Sequence, residues 1–333
     1  GWNYGWDGNW ANGGTKFNFT KPYPDYDIDY LSKYGKEKGV YIIGHHETGA
    51  DVENYESQLE EAYQFLEDHG MKAVKTGYVG DSLANGEWHH GQYSVRHHQR
   101  VAEMAAKHHV MLVAHEPIKD TGLRRTYPNF MSREAARGQE YNAWGEDGGN
   151  PPDYVTIIPF TRMLSGPMDY TPGVFDLKLP TQPNNQINGT LAKELALYII
   201  LYAPLQMACD LPKNYEGHPA FKFIEDVATD WETTNVLEAE IGKYVTIARK
   251  QRNSENWFIG AITNDNPRET KLKLDFLSPG KKYNATIYKD TPETDYLKRP
   301  AAYRIEKIQV TSESVLDLHL AASGGAAISI MAQ

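Results

Sequence analysis

Three short apolar runs constrain this chain most. They are Val40-Tyr41-Ile42-Ile43, Ala73-Val74-Lys75-Thr76-Gly77-Tyr78-Val79 and Val110-Met111-Leu112-Val113-Ala114. Amphipathic stretches separate them. Tyr55, Leu59, Ala62, Tyr63 and Leu66 recur at helical spacing and stop at Gly70, and Val101, Met104, Ala105 and His108 mark a second helix. Strands apolar on both faces that alternate with helices pack as a parallel sheet. Polar residues follow the runs, His45-His46-Glu47 after the first and His115-Glu116-Pro117 after the third. That is where a (β/α)₈ barrel carries its functional residues. A doubly wound sheet would place them similarly, but no glycine-rich phosphate loop follows any strand.

Residues 129–190 are broken by Gly, Pro and Asn and read as long loops at the functional end of the barrel. A helix is expected over residues 191–202, and Pro204-Leu205-Gln206-Met207-Ala208 as a last strand. About six barrel strands can be placed where eight are required, so the barrel is expected to be incomplete. Later in the chain come short alternating strands: 244–248, 257–262, 271–276, 283–288, 314–320 and 327–330. The expected organisation is α/β: a truncated TIM-type barrel over residues 1–235, then an all-β antiparallel sandwich over 236–333.

A formal charge of −10 argues against a nucleic-acid partner. No run reaches the ~18 apolar residues of a membrane span, so no membrane insertion is expected. The single cysteine, Cys209, rules out an internal disulfide. The 22 tyrosines and 7 tryptophans suit a surface that stacks on sugar rings while staying wet.

Glycoside hydrolysis generally needs two carboxyl functions flanking the scissile bond. The candidates are Glu47 and Glu116 at strand ends, and Glu134 and Glu140 in the stretch 132–140. A lone glutamate past a strand is ordinarily a solvated loop residue. Two that each directly follow a histidine at the polar tip of a hydrophobic strand point to a site. Four adjacent histidine pairs (45–46, 89–90, 97–98, 108–109) suggest a metal. Adjacent helical residues diverge, however, and no His-Glu-x-x-His motif occurs, so zinc is disfavoured. Several glutamates favour calcium instead. Lys75, inside an apolar strand, needs a partner or a role and is expected to reach the barrel mouth.

The segments Tyr-Ile-Ile-Gly-His-His-Glu-Thr (41–48), Val-Lys-Thr-Gly-Tyr-Val-Gly (74–80) and Ala-His-Glu (114–116) resemble glycoside hydrolase family 97. So do Arg125 to Asn129, Glu134 to Gly138, Gly166 to Gly173 and Tyr202 to Met207, in order over essentially the whole chain. The resemblance is strongest to the starch-utilisation α-glucosidases of that family. It implies that Glu140 is the general acid and that Glu47 and Glu116 position and deprotonate the attacking water. It also implies a calcium ion on Glu116, Glu134 and Glu140, with His45, Lys75 and His115 contacting the sugar. Retaining members carry an aspartate nucleophile on the strand that here reads Lys75-Thr76-Gly77 and lack a glutamate matching Glu47. Gly77 together with Glu47 therefore implies inversion.

Family members begin with a β-sandwich domain and two further barrel strands, so the chain is expected to lack that N-terminal domain, itself a partner for the site. The expected activity is exo-acting, calcium-dependent hydrolysis of malto-oligosaccharides in the periplasm. An α-galactosidase or other α-glycosidase of the family is one alternative. A non-catalytic carbohydrate-binding fragment is the other.

Overall fold

The computed structural model describes residues 2–7, 9–13, 15–80 and 82–333, with Asn12 as backbone only. Gly1, at the start of the aromatic N-terminal stretch, lies outside them. The chain packs as two compact units, Gly1–Ala135 and Ala136–Gln333.

The first unit holds strands β1 (Gly44–Glu47), β2 (Ala73–Gly77), β3 (Met111–Ala114) and β4 (Phe130–Arg133), parallel and in that spatial order. Register sets His45 opposite Lys75, Glu47 opposite Gly77 and Lys75 opposite Val113. Helices α1 (Ile28–Glu37), α2 (Val52–Ser57), α3 (Leu59–Asp68) and α4 (Gln92–Lys107) accompany the sheet. Asp27 and Asp51 cap α1 and α2 by accepting hydrogen bonds from the backbone N–H groups of Tyr30 and Asn54. The apolar side chains at helical spacing are buried as expected: Tyr55, Leu59, Ala62, Tyr63 and Leu66 share one core with Val74, Val101, Ala105 and Leu112.

Two expectations for this unit shift. The helix expected over 55–66 breaks at Gln58, because that side chain leaves the helical surface to bond Phe17 O (3.0 Å) and Phe19 N (3.2 Å). The first apolar run is not itself the strand: Val40 and Tyr41 are 63% and 53% exposed, and β1 starts at Gly44. A β-carbon at Gly44 would lie 2.6 Å from Leu66 Cδ2, so only glycine lets β1 approach α3 this closely.

The second unit begins with helices α5 (Tyr141–Trp144) and α6 (Tyr154–Ile157), then α7 (Leu191–Ile200), α8 (Pro212–Tyr215) and α9 (Phe221–Asp226). The expected last parallel strand at 204–208 does not form. Met168 N–H donates to Tyr202 O (3.2 Å), but Pro167, Pro172 and Pro204 lack the donors that would extend this contact into a ladder. Among the described residues the parallel sheet therefore has four strands rather than about six.

The antiparallel part has strands β5 (Trp231–Glu240), β6 (Tyr244–Gln251), β7 (Trp257–Thr263), β8 (Arg268–Lys273), β9 (Tyr283–Lys289), β10 (Arg304–Val310), β11 (Val315–Leu320) and β12 (Gly325–Ala332). Six pair in the order β10-β9-β12-β7-β6-β5, while β11 pairs with β8. Alternation along β7 splits two cores. Phe258 and Ile262 join Leu195 and Ile199 of α7, whereas Ile259 and Ala261 join Leu272, Leu316 and Leu318 of the two-stranded layer. All ten residues of α7 are buried. No described helix is long and apolar enough to cross a membrane.

Helix α7 meets the sheet through glycines. A β-carbon on Gly260 would lie 2.6 Å from Ala196 O and 2.9 Å from Ile199 Cβ. Gly260→Val should therefore destabilise the second unit by about 1–3 kcal/mol, the usual range for overpacking. Urea unfolding followed by fluorescence of Trp231 and Trp257 measures this.

Candidate active site

The C-terminal ends of β1, β2 and β3 bring acidic groups together in the first unit. Glu47 closes β1 and is buried. Its Oε1 accepts hydrogen bonds from the N–H groups of Gly49 (2.8 Å) and Val79 (3.1 Å). A β-carbon on the facing Gly77 would collide with Glu47 Oε2 and lie 3.5 Å from Glu116 Oε2. The two carboxylates thus converge on space left open by the absence of a side chain at position 77. Burial, with a further push from Glu116 and against the pull of the two N–H donors, raises the Glu47 pKa to about 7.

Glu116 stands just past β3 in a left-handed backbone conformation, φ +42°, which is sterically unfavourable for a residue with a β-carbon. Its Oε2 accepts from Tyr78 N (2.9 Å), and its carbonyl accepts from Nε2 of buried His89 (2.7 Å). Those two contacts hold the strained residue in place. Glu134 follows β4 and donates its N–H to Ala114 O (2.9 Å), which brings it beside His115, whose Nδ1 lies 3.5 Å from Glu134 Oε2. Ligand atoms of His115, Glu116 and Glu134 all lie within 4.8 Å of one another. Two carboxylates in this set supply the hard oxygens calcium prefers; the imidazole is a softer donor that suits transition metals better.

His45 and Lys75 sit opposite each other on β1 and β2, two residues before Glu47 and Gly77. Burial, and next the Lys75 charge, lowers the His45 pKa to about 3, so this imidazole is neutral and serves as a hydrogen-bonding group. The Trp6 ring lies 5.2 Å from it. The first unit therefore brings together five of the expected residues other than Glu140 around one sheet end: Glu47, Glu116, Glu134, His45 and His115, with Lys75 in register beside them.

Two of the other histidines, His97 and His98, are structural. His97 is buried between Tyr78 Oη (2.9 Å) and Glu56 (2.8 Å), and His98 Nδ1 donates to Ser94 O (3.0 Å). His89 had no assigned role in the sequence; only the third dimension shows its bond to the Glu116 carbonyl.

Glu140 belongs to the second unit, directly before α5. Its neighbour Gln139 is buried and donates Nε2 to Glu194 Oε2 (2.6 Å). Glu194, on α7, also accepts from Gly173 N (2.9 Å) and Val174 N (3.2 Å). Sequence reasoning missed Glu194, a charged residue in an apolar helix whose anomaly was the available signal.

Residues 1–136 match the family model described as glycoside hydrolase 97, and residues 230–331 match the one described as glycosyl-hydrolase 97 C-terminal, oligomerisation. A family 97 enzyme from Pseudoalteromonas sp. strain K8, solved in complex with panose, is 47% identical with a TM-score of 0.95. The match covers all of this chain and 53% of that one. The same enzyme has also been solved with acarbose. A retaining alpha-galactosidase of Bacteroides thetaiotaomicron is 31% identical over 310 residues, 91% of this chain and 44% of its own length. A beta-arabinopyranosidase, 20% identical with a TM-score of 0.72, shares the fold. The chain spans about half the length of these family relatives. The parallel sheet is accordingly part of a TIM-type barrel, followed by a β-sandwich.

A raised carboxyl pKa means the folded chain holds the Glu47 proton more tightly than the unfolded chain does. Its stabilising contribution is full below about pH 4.5 and is lost as pH rises through about 7. Glu47→Gln keeps the acceptor for both N–H groups and removes the charge. With chelator present, the variant should be more stable than the parent at pH 8, by up to ~3 kcal/mol, and equal to it at pH 4. Thermal melts at the two pH values read this out.

Proposed function

The chain belongs to glycoside hydrolase family 97, and we propose on that premise that it is the catalytic part of an exo-acting, inverting, calcium-dependent α-glucosidase. The observation that carries the reading is the steric exclusion at Gly77. Glu47 fills the place a side chain there would take, so no nucleophile can stand at position 77 while Glu47 keeps its position. With water as the attacking group, the anomeric centre inverts.

In this reading water lies in the space shared by Glu47 Oε2 and Glu116 Oε2. Glu47 takes its proton as the water oxygen bonds to the anomeric carbon. A carboxyl pKa of about 7 suits a base working near neutrality. Glu116, fixed by Tyr78 N, orients the water, and the neutral His45 with Lys75 binds sugar hydroxyls. Glu140 is the general acid that protonates the departing glycosidic oxygen, a role resting on the sequence resemblance. Glu116 and Glu134 would hold the calcium ion, whose charge favours ionised carboxylates and can bind sugar hydroxyls. The panose complex of the 47% identical relative supports an oligosaccharide substrate. Placement of the whole protein in the periplasm rests on the resemblance alone.

A second reading, an α-galactosidase, draws on two curated relatives, both named as retaining enzymes, one as probable. It would require another nucleophile than position 77 provides.

Proton NMR of the first sugar released from maltotriose by the intact protein should show the β-anomer; an initial α-anomer, or preference for an α-galactoside, sinks the proposal. Gly77→Ala should displace Glu47 and lower kcat by about 100-fold, the scale expected for misplacement by roughly 1 Å. Stopped assays beside a thermal melt separate this from unfolding. Chelation should abolish turnover, and calcium should restore it.

A further inference from the structure

Two of the backbone donors that seat the acidic cluster of the first unit come from adjacent residues. Tyr78 N–H donates to Glu116 Oε2 (2.9 Å) and Val79 N–H to Glu47 Oε1 (3.1 Å). The Cα of Tyr78 stands between those two peptides, so the backbone torsions of this one residue set the angle between the donors. The pair lies past the last residues of β2 in register with β1 and β3. Thr48 fixes the near side, where its N–H (3.0 Å) and Oγ1 (2.8 Å) both donate to Gly77 O. The Tyr78 side chain fixes the other.

That side chain is buried and packs in a small core with Ala50, Val52 and Leu83. Its Oη lies 2.9 Å from His97 Nε2, and His97 Nδ1 lies 2.8 Å from Glu56 Oε1. Glu56 in turn pairs with Arg100. Burial lowers the pKa of His97, so the imidazole is neutral and carries one ring proton. The bond to His97, above all, lowers the pKa of Glu56, which is ionised and only accepts. The ring proton therefore sits on Nδ1, and Nε2 accepts from the Tyr78 hydroxyl. Every link has a donor facing an acceptor. Glu56 belongs to α2 and His97 to α4, so this tether of hydrogen bonds joins the pivot residue to two helices.

We infer that Tyr78, His97 and Glu56 are positioning residues for hydrolysis, whose tether holds the two N–H donors that aim Glu47 and Glu116 at the attacking water. The inference rests on the functional reading above, in which those carboxylates handle that water. His97 fills the core, and its bonds also reach the carboxylates through Tyr78. Gly49 N holds Glu47 Oε1 separately (2.8 Å), so loosening the tether shifts the pair without releasing it. The expected cost is about tenfold in kcat, less than the ~100-fold of a misplacement by roughly 1 Å. His45 and Lys75 are untouched, so KM is expected to hold.

The test uses the intact protein with calcium and maltotriose. Tyr78→Phe removes the hydroxyl and keeps the ring, while Glu56→Ala removes the acceptor for His97. Each should lower kcat about tenfold with KM within roughly twofold, at temperatures where melts show the variant folded. Glu56→Gln keeps an oxygen facing His97 Nδ1 and should recover most of the loss. Deuterium exchange followed by mass spectrometry needs no turnover. The peptide carrying the Tyr78 and Val79 amides should exchange several-fold faster in Tyr78→Phe and Glu56→Ala, and that of α7 at the parent rate.

An unchanged kcat in the folded variants overturns the inference, as does a loss carried by KM alone. So does unchanged exchange at Tyr78 and Val79 where the parent is active. A Glu56→Gln protein as slow as Glu56→Ala overturns the role of the His97 link. A parent protein that turns over no maltotriose, while exchange responds as expected, overturns the functional reading instead, and the catalytic purpose of the tether with it.

Discussion

Placing an acidic side chain in a buried pocket disfavours its charged form, and the surroundings of Glu47 are organised around that cost. Two backbone N–H groups, from Gly49 and Val79, stabilise the anion. Burial and the neighbouring Glu116 act against it and win, leaving a pKa near neutrality. Everything else at this sheet end follows from seating that carboxylate. Register puts a glycine across from it. The next strand brings Glu116 to the same point, held in a left-handed turn by His89 and Tyr78 N. His45 is kept neutral two residues back along β1.

The second unit solves a different problem with similar means. Helix α7 is buried on every side, yet it carries Lys193 and Glu194. Lys193 Nζ donates to Pro152 O, Thr263 O and Ser323 Oγ, pinning loop and sheet to the helix. Glu194 pins the segments beside Glu140. Both charges sit inside the core because each satisfies several backbone or side-chain partners at once, the condition under which a buried ion is tolerated. The helix is therefore a strut between the β-sandwich and the loops of its own unit.

Much of this was legible in the sequence. Helix faces and central strands declare themselves because burial enforces apolar periodicity, as at Tyr55 to Leu66 and along β7. The strands β5 and β10 were overlooked for the opposite reason. They form the two edges of the six-stranded sheet, so Trp231–Glu240 and Arg304–Val310 carry polar residues that periodicity cannot distinguish from loops. The expected strand at 204–208 failed because an apolar run says nothing about donors, and prolines at 167, 172 and 204 remove them. The acidic cluster was visible as glutamates at strand ends. Its supports were not: His89 and Glu194 act through contacts 27 and 55 residues away in sequence.

The packing of Gly77 against Glu47 also constrains how such a site can change over evolutionary time. Two acidic side chains at these positions compete for one volume as Glu47 is now placed. A carboxylate installed at position 77 would have to displace the Glu47 side chain from its present place, or follow its shortening. A change at either position is thus felt at the other, through the volume they share, whatever sugar the site serves.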